Sequence, residues 1–224
     1  MNELKKLAVD DETEIYFRPN TYDEVVINEV FTRSAYLLPK IEVTNIFDIG
    51  ANIGASAVLL AKTYPKATIH CFEPDPDNFN LLEKNTMKYG SRIVRNKVAL
   101  SDFVGVVRLY EALEEGNHGG LSIEGKRDVT RAKVPVIPIS QYISKVGCPE
   151  IIKIDCEGSE SSIIHNIEDL SKVQWITGEL HNTERKGCPW KLLERLSLTH
   201  HIHVEKSFGQ TNWPFHAGRF DLFG

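Results

Sequence analysis

The chain has 224 residues, of which 42% are hydrophobic and 25% charged, an ordinary composition for a globular protein with a sizeable core. Its net charge of -5 and pI near 5.9 exclude a broadly basic surface of the kind that grips a phosphate backbone. The expected partners are therefore a small molecule rather than nucleic acid or a membrane.

In chain order, the opening MNELKKLAVDDETEIYF carries acids early and no long apolar run, so it reads as neither signal peptide nor membrane helix. Residues 22–36 read as one amphipathic helix that buries Val26, Ile27, Val30 and Phe31, making residues 1–40 a helical cap. Apolar runs of strand length follow at 46–49, 68–72, 93–100, 151–154, 173–177 and 202–204. Between them lie segments with helical spacing, seen in Phe79 and Leu82, then Ile163, Ile164 and Ile167, then Leu192, Leu193 and Leu196. Asp75 is placed to cap a helix whose first residue is Pro76, and Gly90 is placed to stop it. Such alternation predicts an α/β fold, with βαβ units around a mostly parallel sheet and helices on both faces.

Two segments break the rhythm. Residues 104–110 and 133–139 have strand character, and Pro135 and Pro138 suggest an edge position for the second. The polar stretch between them, EEGNHGGLSIEGKRD, is too long for an idle turn and predicts a functional loop within a β-excursion over 103–139. The basic cluster GKRDVTRAK at 125–133 is interrupted by Asp128 and reads as a solvated loop. Cys71, Cys148, Cys156 and Cys188 stand too far apart for a CxxC pair and read as reduced thiols of a cytoplasmic protein. No linker is visible, so residues 1–224 read as one domain.

The chemistry gathers at strand ends. In an open parallel sheet, ligands bind beyond the carboxyl ends of the strands, where strand order reverses. DIGANIG, residues 48–54, ends one strand and opens a helix: Gly50 permits a tight turn and Gly54 close packing of strand and helix. A dinucleotide fingerprint has a further glycine where Asn52 stands, and Asp48 would repel a pyrophosphate. A cationic cofactor suits the turn better, which points to S-adenosylmethionine with Asp48 near its amino acid end and Glu73 on the ribose. Ser101 and Asp102, in VALSD, end a third strand and are placed to meet an adenine edge. The fourth strand runs into IIKIDCEGSE and delivers Asp155 and Glu157 to the same rim, while Glu160 reads as the acidic first turn of the next helix. A fifth, ending TGELH, adds Glu179 and His181.

DIGANIG, FEPDPDNF, VALSD, KIDCEGSE and GELH, in this order, resemble the FkbM-type S-adenosylmethionine-dependent O-methyltransferases, as does the front segment FRPNTYDEVVINEVF. The likeness runs from about Phe17 to Leu180. It implies a Rossmann-like class I methyltransferase fold, seven-stranded with a last strand running antiparallel, here expected at 219–223. It also implies methylation of hydroxyl groups on sugars, polyketides or related natural products. Carried over, the cofactor site falls on Asp48, Gly50, Asn52, Gly54, Glu73, Ser101 and Asp102, and the acidic motif on Asp155 and Glu157. Cys156 departs from the aliphatic residue expected in that motif.

The implied reaction is an in-line displacement on the sulfonium methyl, with His181 or Asp155 as base, Glu157 orienting the hydroxyl, and His118 of the loop as an alternative base. A divalent metal on Asp155, Glu157, Glu179 and His181 is not favoured, because carboxylates facing a cationic cofactor need no ion. THHIH at 199–203 reads as exposed edge histidines rather than a zinc pair. The alternatives are a nicotinamide-dependent oxidoreductase and a non-catalytic subunit of the same fold. Substrate choice is expected to lie in residues 2–39 and 114–133.

Overall fold

The structure, a computed structural model, describes residues 3–33, 35–110, 130–181, 189–205 and 212–223. His118, Cys188 and most of the 114–133 loop lie outside the described residues. The chain opens on an antiparallel hairpin of β1 (Lys5–Asp10) and β2 (Thr13–Phe17), then α1 (Asp23–Phe31). Strand and helix then alternate through β3 (Asn45–Ile49), α2 (Ala55–Thr63), β4 (Thr68–Phe72), α3 (Pro76–Thr86) and β5 (Ile93–Asn96). A small sheet follows from β6 (Ala99–Ser101), β7 (Gly105–Tyr110) and β8 (Thr130–Pro138). The rest is α4 (Ile139–Val146), β9 (Ile151–Ile154), α5 (Glu160–His165), β10 (Trp175–His181), α6 (Pro189–Ser197), β11 (His200–Val204) and β12 (Asn212–Arg219).

The main sheet has seven strands in the order β11-β12-β10-β9-β3-β4-β5. Only β12 runs against its neighbours; β3, β4, β5, β9 and β10 are parallel. Side chains alternate across this sheet: Phe47, Ile152 and Ile154 pack with α4, α5 and α6, whereas Ile46, Ile69 and Ile151 pack with α2 and α3. That two-sided burial explains why these strands read as unbroken apolar runs. The predicted helix faces are buried as expected at Phe79, Leu82, Ile163, Ile164, Ile167, Leu192 and Leu196. Asp75 caps α3 by accepting the N–H groups of Asp77 and Asn78 at 3.0 and 2.9 Å, with Pro76 opening the helix.

Several expectations are corrected. The front is not wholly helical: the hairpin precedes α1, and α1 stops at Phe31 rather than reaching Tyr36. The single strand expected over 93–100 is two, because the chain turns at Asn96, whose carbonyl accepts from Val98, and leaves the main sheet. The antiparallel strand is β12, which pairs with β10 from Trp175–Gly218 to His181–Asn212, while residues Phe220–Phe223 form a 3-10 turn. Strand β8 is central, not an edge, in its sheet of order β6-β8-β7. It accommodates Pro135 because β6 pairs only with Val136, Ile137 and Pro138. On β11, an edge of the main sheet, His201 and His203 are exposed as expected, whereas His200 is buried with Nε2 at 2.9 Å from the Val173 carbonyl.

Candidate active site

The chain runs β3, β4, β5 to one side and later β9, β10 to the other, so strand order reverses between the neighbours β3 and β9. A cavity of about 300 Å³ opens beyond their carboxyl ends. Gly50 bends the chain there with φ of 75°, and a Cβ on it would lie 1.8 Å from the Asp155 carbonyl oxygen. Asn52 follows at φ 51° and Gly54 at 91°, where α2 starts against Leu82 and Thr86 of α3. The turn is thus built by the close approach of two strand ends.

Glu73, just past β4, is buried in the cavity wall and accepts from the N–H groups of Asn52 and Asp75, both at 2.8 Å. Burial pushes its carboxyl up to about 7, against the pull of those two N–H groups. Asp48 lies deeper than expected, outside the cavity lining, where it accepts from Ser56 Oγ at 2.8 Å and pairs with Lys153 Nζ at 3.4 Å. Burial works against the Lys153 charge, but Asp48 and Asp155 outweigh it and raise its pKa. Lys153 also donates to the Gly50 carbonyl at 2.7 Å and tethers the turn from below. Its signal in the sequence was a lone charge inside the apolar run IIKI.

On the other side of the turn stand the acids of β9 and β10. Asp155, Glu157 and Glu179 line the cavity, with Glu157 in a left-handed conformation at φ 56°. Tyr36 donates its hydroxyl to Asp155 Oδ2 at 2.8 Å. Burial of Glu157 raises its carboxyl to about 7, with His181 opposing. Glu160 is more than an acidic first turn. Its Oε1 accepts from the N–H groups of Cys156 and Gly158 and lies 2.8 Å from His181 Nδ1. His181 sits behind the acids and outside the lining, its Nε2 3.9 Å from Asp155, 3.6 Å from Glu157 and 3.8 Å from Glu179. Burial disfavours its imidazolium, but Glu160, then Glu157 and Asp155, hold its pKa up at about 10. Of the two candidate bases, His181 or Asp155, the one on the cavity lining is Asp155, while His181 stands behind the acids.

Ser101 and Asp102 also fall outside the lining, with Ser101 Oγ donating to Asp102 at 3.2 Å. The preceding residues Val98, Ala99 and Leu100, with Leu109 of β7, form an apolar wall instead. Cys156 lines the cavity and packs on the core, so its departure from an aliphatic residue leaves the motif in place. Over the mouth, α1 contributes Val25, Val26, Glu29 and Val30. Arg18 fixes this helix by a two-pronged pair with Asp23, at 2.8 and 2.7 Å, and reaches Asn78 of α3 at 2.7 Å.

The profile of the methyltransferase FkbM domain matches residues 48–212. The chain belongs to the FkbM methyltransferase family. Within that family it is 27% identical over 197 residues to the 31-O-demethyl-FK506 methyltransferase FkbM of Streptomyces tacrolimicus, covering 72% of this chain and 75% of that one. It is 26% identical over 160 residues to the hexuronic acid methyltransferase AglP of Haloferax volcanii, covering 70% and 64% of the two chains. Among solved structures, a fibrillarin/Nop5p complex aligns at a TM-score of 0.51 and 12% identity, covering 96% of this chain and 100% of that one. At that identity the likeness shows the Rossmann-like methyltransferase fold alone. In this FkbM-family chain, no helix among the described residues is long and apolar enough to cross a membrane.

Proposed function

We propose that the protein transfers the methyl group of S-adenosylmethionine to a hydroxyl oxygen of a small molecule such as a sugar or polyketide. The observation that carries this reading is the charge of the cavity. Among the described residues its lining holds five carboxylates, Glu29, Glu73, Asp155, Glu157 and Glu179, against one cation, Lys153, which is paired with Asp48. Such a field favours a cofactor bearing a sulfonium and an ammonium, and opposes the pyrophosphate of a nicotinamide dinucleotide. The apolar wall of Val98, Ala99, Leu100 and Leu109 suits the flat adenine. Beside it, each Glu73 oxygen takes one backbone N–H and keeps a lone pair for a ribose hydroxyl. The relatives named for a 31-O-demethyl macrolide and a hexuronic acid support an oxygen acceptor.

In the proposed step an oxygen lone pair of the acceptor forms a bond to the methyl carbon as the carbon–sulfur bond breaks, and S-adenosylhomocysteine leaves. The acceptor's proton passes to a floor carboxylate. Asp155 and Glu157 both line the cavity; Asp155 holds the Tyr36 hydroxyl on Oδ2, whereas burial lifts the Glu157 carboxyl to about 7, where it suits proton acceptance near neutral pH. Alignment of oxygen, carbon and sulfur supplies most of the acceleration, on the order of 7–11 kcal/mol in the best cases. Incubation with S-adenosylmethionine carrying a labelled methyl group, over a panel of hexuronic acids, neutral sugars and macrolides, tests the reading. Label on an acceptor oxygen, detected by mass spectrometry, is the expected result. Label confined to nitrogen or carbon acceptors would overturn the assignment of the acceptor atom.

A further inference from the structure

We propose that Asp155, Glu179 and His181 hold a divalent cation at the floor of the cavity, with Glu157 beside them as a fourth donor. One donor atom from each of the first three lies within 4.8 Å of the others. A cluster of acids alone would not require an ion. Here the decisive observation is the imidazole: His181 is 8% exposed, and its Nε2 is buried without a hydrogen-bond partner while aimed at three carboxylates.

The separations of 3.6 to 3.9 Å from Nε2 are too long for hydrogen bonds. Ligands about 2.1 Å from a shared ion stand roughly 3.0–3.4 Å apart, so each acid would approach Nε2 by about 0.5 Å, with the donor spread of up to 4.8 Å closing as the ion binds. The outer contacts are also those of an ion site. Glu160 engages Nδ1, which leaves the Nε2 lone pair for the ion, and the Tyr36 hydroxyl orients Asp155. The sequence offered Asp155, Glu157, Glu179 and His181 as possible ligands without favouring an ion, because carboxylates facing a cationic cofactor need none; the buried, unpartnered Nε2 is the added observation.

Carboxylate oxygens with one imidazole suit Mn2+, with Mg2+ and Zn2+ as competitors, better than a thiolate-seeking ion. Because Asp155, Glu157 and Glu179 line the cavity, open coordination positions would face the acceptor. A hydroxyl bound there would become a stronger acid and so a better nucleophile toward the methyl carbon. That consequence rests on the proposed methyl transfer; the binding itself does not.

The test is calorimetric titration of untagged, EDTA-treated protein with MnCl2 in the absence of cofactor, with MgCl2 and ZnCl2 alongside. One saturable equivalent is expected, weakened at least tenfold in Glu179→Gln. It is expected to weaken roughly 10–100-fold in Glu160→Gln, whose side chain orients His181 without touching the ion. In the unmodified protein, Mn2+ should broaden the imidazole resonances of His181 before those of the other histidines. No saturable binding of any of the three ions at millimolar concentration, unchanged affinity in folded Glu179→Gln, or uniform broadening of all eight histidines would overturn the site. A parallel titration with S-adenosylmethionine in EDTA separates the proposals: cofactor binding without ion binding removes the ion and leaves methyl transfer standing.

Discussion

Glu73 ends β4 with two duties, holding the Asn52 and Asp75 N–H groups and presenting charge to the cavity. Burial raises its pKa to about 7, with Asp75 adding to the rise and the two N–H groups and Lys153 opposing it. It is an acid with a raised pKa, so its charged form dominates above about pH 7 and is lost as pH falls through that value. If the ionised carboxylate grips the ribose, the dissociation constant for S-adenosylmethionine should rise roughly tenfold per unit between about pH 7 and 6. Calorimetry across that range should lose the slope in Glu73→Gln; a slope that persists would place the titrating group elsewhere. Much of this site was legible in the sequence. Gly50 and Gly54 marked a tight turn and a close strand-helix contact, and the acids stood where apolar runs ended. Lys153, Tyr36 and the inward reach of Glu160 were not legible. Each acts through a partner distant in sequence or through a bend, at Glu157 and Gly158, that no local pattern prescribes.

At the scale of elements, α1 is held over the cavity by Arg18 and Asp23 rather than by propensity. The pair is largely buried, with side-chain exposures of 16% and 4%, and the Arg18 backbone N–H also donates to Asp23 at 2.9 Å. Asp23→Ala would leave the guanidinium buried without its counter-charge. A loss on the order of 3 kcal/mol in urea denaturation is expected, whereas a loss under about 1 kcal/mol would mean the pair is solvated. Strands buried on both faces, and α3 with its Asp75–Pro76 start, were readable because burial and capping leave local marks. The hairpin was not, since β1, KKLAVD, is largely exposed and holds only a three-residue apolar run between lysines and an acid. Strand β12 was misplaced because NWPFHAGR carries a proline and polar residues, and only its long pairing with β10 makes it a strand.

For the whole molecule, the sheet delivers its parallel strand ends to one rim, where Glu73, Asp155, Glu157 and Glu179 gather. The scaffold by itself says little about the acceptor, because one fold hosts many reactions. The acceptor is expected to be chosen by what covers the rim. Tyr22 and Val25, 38% and 44% exposed, stand at the mouth within the 2–39 region that the sequence singled out for specificity. The acidic cavity is proposed to receive a cationic nucleoside cofactor. Calorimetric titration of the purified protein with S-adenosylmethionine, with NAD alongside and both repeated on Glu73→Ala, tests it most directly. Micromolar binding of S-adenosylmethionine alone, lost in Glu73→Ala, is expected. Binding of NAD in its place, or affinity for S-adenosylmethionine unchanged by Glu73→Ala, would contradict it.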